Sequence, residues 1–375
     1  MRQPIALALL CAAVADTATK PHTLVIYAYS QHSAEAVANV RYFLRFGLSN
    51  ATDATFVFVV NGCHSVKFPK QRANVLVVER PNTCFDFGAW GVGLEAAEAA
   101  GVAYDFVVLL NGSVRGPFLP AYERRPWWRV FTDGLSVADA PGLLGTTANC
   151  ADLDASDARS AHVQSMVLAM TRTTLDRVGR RFLQSCPADK AGAIYDGELP
   201  LSRAVLDAGL ELGALLLAHG PRGTTIPPHP PADLLASCAA VRENSELGLG
   251  DVYFPALGGD ALDVHPLEVV FYKTARSGAG RATLDRLTHW AYFHAAGGAL
   301  RDPAARRRDF SADALVGDDC DETHWPVADA DGAASPAARD AAHLVALEGA
   351  LRGANDELAR LRAENAALRD RAVYV

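Results

Sequence analysis

The sequence lacks the marks of several large classes of protein. It has no surplus of basic residues: 35 Lys and Arg stand against 43 Asp and Glu, a formal net charge of -8. Recognition of nucleic-acid phosphates needs a concentrated excess of positive charge, so this balance speaks against a nucleic-acid partner. The one basic run, Arg306 to Arg308, is followed by Asp309 and reads as a solvated helix face. There is no G-x-x-x-x-G-K-S/T phosphate loop, no G-x-S-x-G nucleophile elbow and no H-E-x-x-H zinc motif, so P-loop, α/β-hydrolase and zincin chemistry fall away. Nor is there a C-x-x-C pair, and zinc ribbons and thioredoxin chemistry lose their support. Beyond the N-terminus no apolar run is long and uncharged enough to span a bilayer. The best, Val205 to Ala218, carries Asp207 and Glu211 and reads as a buried helix followed by a strand.

What is present is an ordinary globular composition, 375 residues at 50% hydrophobic and 21% charged, enough for a large core in one big domain or two small ones. The N-terminus reads as a signal peptide over residues 1–15. Arg2 supplies the positive region, Ile5 to Val14 the apolar run, and Ala13-Val14-Ala15 an A-x-A cleavage signal before Asp16. The chain is expected in the Golgi or ER lumen or outside the cell; an uncleaved Golgi-type anchor is the alternative. Without Cys11, six of the seven cysteines remain, compatible with up to three disulfides in an oxidising compartment. Cys63 and Cys84 each follow a predicted strand on the same side of the sheet and are the favoured pair. Asn50-Ala51-Thr52 is an N-glycosylation acceptor in a predicted loop.

The first half alternates strand and helix patterns. Thr23 to Ala28 reads as a buried strand, Ser33 to Phe46 as a helix stopped by Gly47, then Thr55 to Val60 and Val75 to Val78 as strands. Asp86 is the predicted cap of a small-residue helix reaching Ala100, and Tyr104 to Leu110 a further strand. Strands so continuously apolar are buried on both faces, which predicts a mostly parallel sheet with helices on both sides. Ligands of such sheets sit beyond the carboxyl ends of the strands, here the loops opening at Ala28, Asn61, Glu79 and Asn111. Later patterns give a strand at Gln164 to Met170, helices at Thr173 to Phe182 and Leu199 to Ala208, and a late strand at Glu268 to Tyr272. The predicted organisation is a domain over 20–276, a helical extension over 277–326, an Ala/Asp/Pro linker over 327–340 and a coiled coil over 341–372. In the coiled coil, Leu344, Leu351, Leu358, Asn365 and Ala372 take a, and Leu347, Ala354, Leu361 and Leu368 take d. Glu357 and Glu364 at g face Arg362 and Arg369 at e, and the lone Asn at a favours two parallel strands. A homodimer through 344–372 follows; a single amphipathic helix folded back on the domain is the alternative.

The ordered pieces RPNTCFDFGAW, YDFVVLLNGSVRGPFLP, HVQSM at His162 to Met166, YDGELPLS at Tyr195 to Ser202 and HPLEVVFYKTAR at His265 to Arg276 carry a resemblance. Over roughly Thr23 to Arg276 the chain resembles glycosyltransferase-A domains, and in wording the rhamnan synthesis protein F family and related secreted transferase-like proteins of algae and fungi. The resemblance implies a Rossmann-like α/β fold and a nucleotide-sugar donor bound near Tyr29, Asn82, Asp86, Asn111, Ser113 and Arg115. Typical members carry an acidic D-x-D after the fourth strand to hold a divalent cation on the diphosphate. Here the triplet is Asn111-Gly112-Ser113, whose neutral oxygens bind a hard cation far more weakly, so no metal or other cofactor is assigned. Arg115 reads as a direct phosphate partner, or equally as a loop salt bridge. Asp86 reads as a donor contact or as a helix cap, worth about 1 kcal/mol. YDGELPLS resembles the acidic motif before a helix in inverting family-two transferases, which implies Glu198 as general base, with Asp196 second; the alternative is a pair of helix-dipole acids. The resemblance places His162 and Gln164 on the acceptor side, His162 otherwise a structural histidine; Trp128, paired with Trp127 after Pro126, is offered there for stacking on a sugar ring, or otherwise as a core edge. His265 is the one histidine the resemblance offers for a metal or phosphate.

Two readings follow: a glycosyltransferase moving a hexose or deoxyhexose from a nucleotide sugar to a glycan, or a catalytically inactive transferase-like protein that binds carbohydrate or acts as a scaffold. The dimer has a direct test. In sedimentation, full-length chain is expected at twice the protomer mass and a chain ending at Asp340 at once that mass; equal states would remove the coiled-coil dimer.

Overall fold

The computed structural model describes residues 20–137, 140–150, 153, 161–217, 224–244, 250–253, 264–274 and 280–295, all within one compact unit spanning 1–325. The expected signal segment, linker and coiled coil lie outside the described residues.

The apolar runs form strands as expected. β1 (Thr23–Ser30), β2 (Ala54–Asn61), β3 (Val75–Arg80) and β4 (Phe106–Asn111) lie parallel in the order β3-β2-β1-β4. The short β5 (Val114–Arg115) leaves this layer. Beyond β4 the sheet continues through β9 (Val167–Thr171), β6 (Leu143–Gly145), β10 (Leu212–Ala214) and β11 (Thr224–Ile226) to eight strands. β9 runs antiparallel to both of its neighbours and β11 antiparallel to β10, so the sheet is parallel only in part. β7 (Ala148–Asn149) and β8 (His162–Val163) form a separate ribbon.

Alternate residues of β1 enter opposite cores, as the period of two requires. Val25, Tyr27 and Tyr29 pack with α1 (Ala34–Tyr42) and α3 (Trp127–Gly134). Leu24, Ile26 and Ala28 pack with α2 (Phe85–Ala99) and α4 (Leu199–Asp207). Helices on both faces of a mostly parallel sheet constitute a mixed α/β fold of the Rossmann-like kind expected. α1 starts where the Ser33 hydroxyl accepts from the Ala36 amide at 3.1 Å, and it closes through a wider turn, Phe43–Gly47.

The start of α2 departs from expectation. Asp86 is not its cap: the helix begins at Phe85, after Cys84, and both of these residues have positive φ, 62° and 48°. That conformation is costly for residues with side chains and persists only where surroundings impose it. Here Cys84 is tied to Cys186, which also replaces the expected Cys63–Cys84 pair. Cys150 joins Cys238, and Cys63 is disulfide-bonded as well. The pairing follows from how α2 lies on the segment ending in Cys186. A Cβ on Gly91 would stand 2.0 Å from the Leu183 carbonyl oxygen, so the backbones meet where sequence shows only small residues. The expected late strand at Glu268 to Tyr272 is likewise replaced. Pro266–Val269 is a helical turn, and only β12 (Tyr272–Lys273) pairs, antiparallel to β5.

A Gly91→Ala substitution forces these backbones apart. Urea unfolding is expected to show a loss of about 1–3 kcal/mol, the usual cost of overpacking, whereas Gly101→Ala, where no atom stands near, should show only the strain of its positive φ.

Candidate functional site

The site lies at the carboxyl end of β4. Trp90 of α2 donates its indole N–H to the Leu110 carbonyl at 2.8 Å, which locks the helix to this strand end. Asn111, the next residue, accepts at Oδ1 from the Ser113 amide and hydroxyl (3.0 and 2.6 Å) and donates from Nδ2 to Asp86 Oδ2 at 2.8 Å. The amide is thus oriented as a donor toward α2. The triplet is anchored from behind by Asn39 of α1, whose Nδ2 donates to the Gly112 carbonyl (2.9 Å) and to the Thr274 hydroxyl (2.8 Å). Thr274 in turn donates its amide and hydroxyl to the Ser113 carbonyl.

Glu198 reaches the same place from the turn preceding α4. Gly197 lies against the Phe87 ring, where a Cβ would stand 2.8 Å from the ring carbons, so this turn fits closely on the first turn of α2. The Glu198 carboxylate accepts from the Ser165 amide at 2.9 Å and from the Ser165 hydroxyl. Its other oxygen faces His162 Nε2 at 3.1 Å. The loop carrying Ser165 touches β4 directly, since the Asn111 amide donates to the Met166 carbonyl.

The two carboxylates are pushed apart electrostatically. Burial raises Glu198, but the bonds from His162 and Ser165 outweigh it and hold its pKa below the usual glutamate value. Burial raises Asp86 to about 6; the Asn111 bond opposes this, the nearby Glu198 charge adds to it, and Lys273 of β12 draws it back. Lys273 and Ser165 are members of the site that sequence reasoning did not single out. Both lay within the quoted pieces HPLEVVFYKTAR and HVQSM, but nothing in those pieces says which residue faces the strand end.

The other expected residues are placed as follows. Arg115, 6% exposed, is a salt bridge: it donates to Glu35 at 2.7 Å and to Asn39 Oδ1 at 3.1 Å. Trp128 is 1% exposed in the α1-side core, so its ring is closed to a sugar. The Tyr29 ring is buried against Phe68, with its hydroxyl directed to Gln31. Asn82 and Asp196 are exposed. Gln164 is buried and accepts from the Thr147 hydroxyl at 2.6 Å. His265 is an exposed helix cap whose Nδ1 accepts from the Leu267 amide. Asn50 is exposed. Among the described residues no three His, Cys, Asp or Glu side chains are grouped to hold a metal ion, and no helix is long and apolar enough to cross a membrane.

No family model matches the sequence, and no curated protein matches it either. Among solved structures, the chain is similar to the mannosyltransferase PcManGT from Pyrobaculum calidifontis in complex with GDP-Man and Mn2+, with 13% identity and a TM-score of 0.34 over 76% of this chain and 77% of that one. That likeness is too loose to bear on substrate or mechanism.

Asp86 has a consequence for stability. Between its ordinary value of 3.8 and about 6, the folded chain keeps a proton on this group that the unfolded chain has released. Its contribution is therefore complete below 3.8 and is lost as the pH rises through about 6. Urea midpoints of the wild type minus those of Asp86→Asn are expected to fall across that window; a flat difference would show that Asp86 titrates normally.

Proposed function

We propose that the chain is a glycosyltransferase of the secretory pathway, lumenal or secreted, that moves a hexose or deoxyhexose from a nucleotide sugar to a glycan or glycoconjugate acceptor with inversion. The observation that carries the reading is the convergence of Asp86, Asn111, Ser113, Glu198, His162 and Lys273 at the end of β4, in a sheet ordered β3-β2-β1-β4 whose ligand crevice lies at the carboxyl ends of the strands.

Each group has a task in that chemistry. Glu198, ionised at neutral pH, takes the proton of the acceptor hydroxyl as its oxygen bonds to the anomeric carbon. The bond from that carbon to the diphosphate oxygen breaks, and the diphosphate leaves with the electron pair. His162 and Ser165 keep the carboxylate oriented. Asp86, which keeps its proton up to about 6, donates a hydrogen bond below that pH where an ionised acid would repel phosphate. Lys273 takes the cationic role that Arg115, engaged by Glu35, does not fill. The inactive reading rests on Asn111, whose amide donates to Asp86 where a D-x-D acid would accept a cation. Dimerisation through 344–372 belongs to the same proposal.

Titration with a panel of nucleoside diphosphates, with and without manganese, separates the two. Binding is expected in both conditions, and Glu198→Gln should lower kcat by about 100-fold or more while leaving nucleoside-diphosphate affinity unchanged. Near-full activity in that variant would remove Glu198 as base. Absence of any nucleoside-diphosphate binding by the wild type would leave the inactive reading in place.

A further inference from the structure

A recess opens beside α1. It is lined by Arg41, Leu44 and Arg45 from α1 and its closing turn, and by Ser65, Val66 and Lys67 from the connection between β2 and β3. Arg41 and Arg45 stand one helical turn apart and so share a face. Arg41 is half-buried, while Arg45 and Lys67 are exposed. None of the three makes an ion pair within the described residues. The two elements that build the recess carry almost no acid to offset them. The connection over 62–74 contains none, and residues 34–47 contain only Glu35, which is already engaged by Arg115 and Arg281. At the edge of β3, Glu79 is held by Lys70 at 2.7 Å. In a chain of net charge -8, three cations around one concavity, with no acid paired to them among the described residues, run against the general balance.

The walls are fixed in place. Gln31 Oε1 accepts from the Ser65 amide (2.8 Å) and hydroxyl (3.1 Å), which ties the connection to the end of β1. His64 Nδ1 lies 2.8 Å from the Val66 carbonyl, the Val66 side chain is buried, and Phe68 packs on Tyr29 and Phe58. The recess therefore combines a preformed apolar floor, Leu44 and Val66, with cations and one hydroxyl at its rim. Ligand sites have this composition: apolar lining for contact area, a few placed polar groups for recognition.

We propose that this recess binds an anionic saccharide. Its carboxylate or sulfate is held by Arg41 and Arg45, which match such oxygens in a fork geometry, with Lys67 as a further point charge. The C–H face of the sugar ring lies on Leu44 and Val66, and Ser65 meets a ring hydroxyl. Binding of the anion stands on the recess alone; that a sugar bears it rests on the transfer reading, for which it would be a holding point on an acidic acceptor.

The test is calorimetric titration of the full chain with hexagalacturonate, with cellohexaose, inorganic sulfate and an oligo-aspartate peptide as comparisons. Hexagalacturonate is expected to bind more tightly than all three and to weaken as salt rises. The double variant Arg41→Ala/Arg45→Ala should lose about tenfold or more in affinity, roughly 1.4 kcal/mol, with nucleoside-diphosphate binding unchanged, so that this result and the transfer reading succeed or fail separately. Five results would overturn the proposal: no binding of hexagalacturonate, equal binding by the double variant, equal binding of cellohexaose, equal binding of sulfate as an adventitious ion only, or tighter binding of the peptide. The chain also holds a rival occupant in Asp318, Asp319, Asp321 and Glu322 around Cys320. Hexagalacturonate binding that appears only after those four are changed to Asn or Gln would show that the chain fills the recess itself, and would overturn the proposal as well.

Discussion

The site depends on one buried amide. Asn39 spends both of its N–H groups on the Gly112 carbonyl and the Thr274 hydroxyl, and its oxygen accepts from the Arg115 guanidinium. Those three contacts bring together a helix, the turn after β4 and the late strand β12, which are far apart in sequence. Without them the Gly112 carbonyl would lose its bond to α1, and Thr274, which holds the Ser113 carbonyl, would lose its own anchor. With them, Asn111 is held so that its amide meets Asp86, and Lys273 is carried in opposite Val114. A buried polar group with all its donors satisfied rigidifies its surroundings, because every alternative arrangement leaves a donor or acceptor unpaired in a low-dielectric interior.

Given that frame, two carboxylates, of which the aspartate is ordinarily the stronger acid, exchange their order. Glu198 sits among donors and stays ionised. Asp86 is half-buried with a single amide donor and a second carboxylate nearby, and it holds its proton to about 6. Environments that push two acids apart in this way let one accept a proton and the other donate a hydrogen bond at the same pH. Arg115 shows the complementary case. Its charge is absorbed by Glu35 and Asn39, so it serves to hold α1 against β5, and the cation acting on Asp86 is Lys273.

Much of the sheet was legible in the sequence. Runs such as TLVIYAYS and ATFVFVVN are too apolar to have a wet face, and their spacing with helix patterns leaves a sheet covered on both sides as the economical arrangement. The errors share a cause. Asp86 looked like a helix cap, Cys84 like a partner of Cys63, and Glu268 to Tyr272 like a strand, and each was decided by a neighbour distant in the chain. Cys84, in a left-handed conformation, is bonded to Cys186 across 102 residues. Trp128 was offered to a sugar because aromatic pairs suit sugar faces, but α3 turns it into the core at 1% exposure.

The sequence by itself determined the alternation of buried strands and helices, the substitution of Asn111 and Ser113 where acids would bind a metal, and the presence of an acidic pair before α4. These are local facts, written in hydrophobic period and residue type. Only the tertiary structure decided that Glu198 rather than Asp196 faces the end of β4, that Asn111 donates to Asp86, and that Lys273 rather than Arg115 acts on it. Those outcomes turn on which groups of separate elements are brought within hydrogen-bonding or electrostatic reach. No local pattern encodes that proximity, because it is created by the packing of α1, α2 and β12 around a strand end.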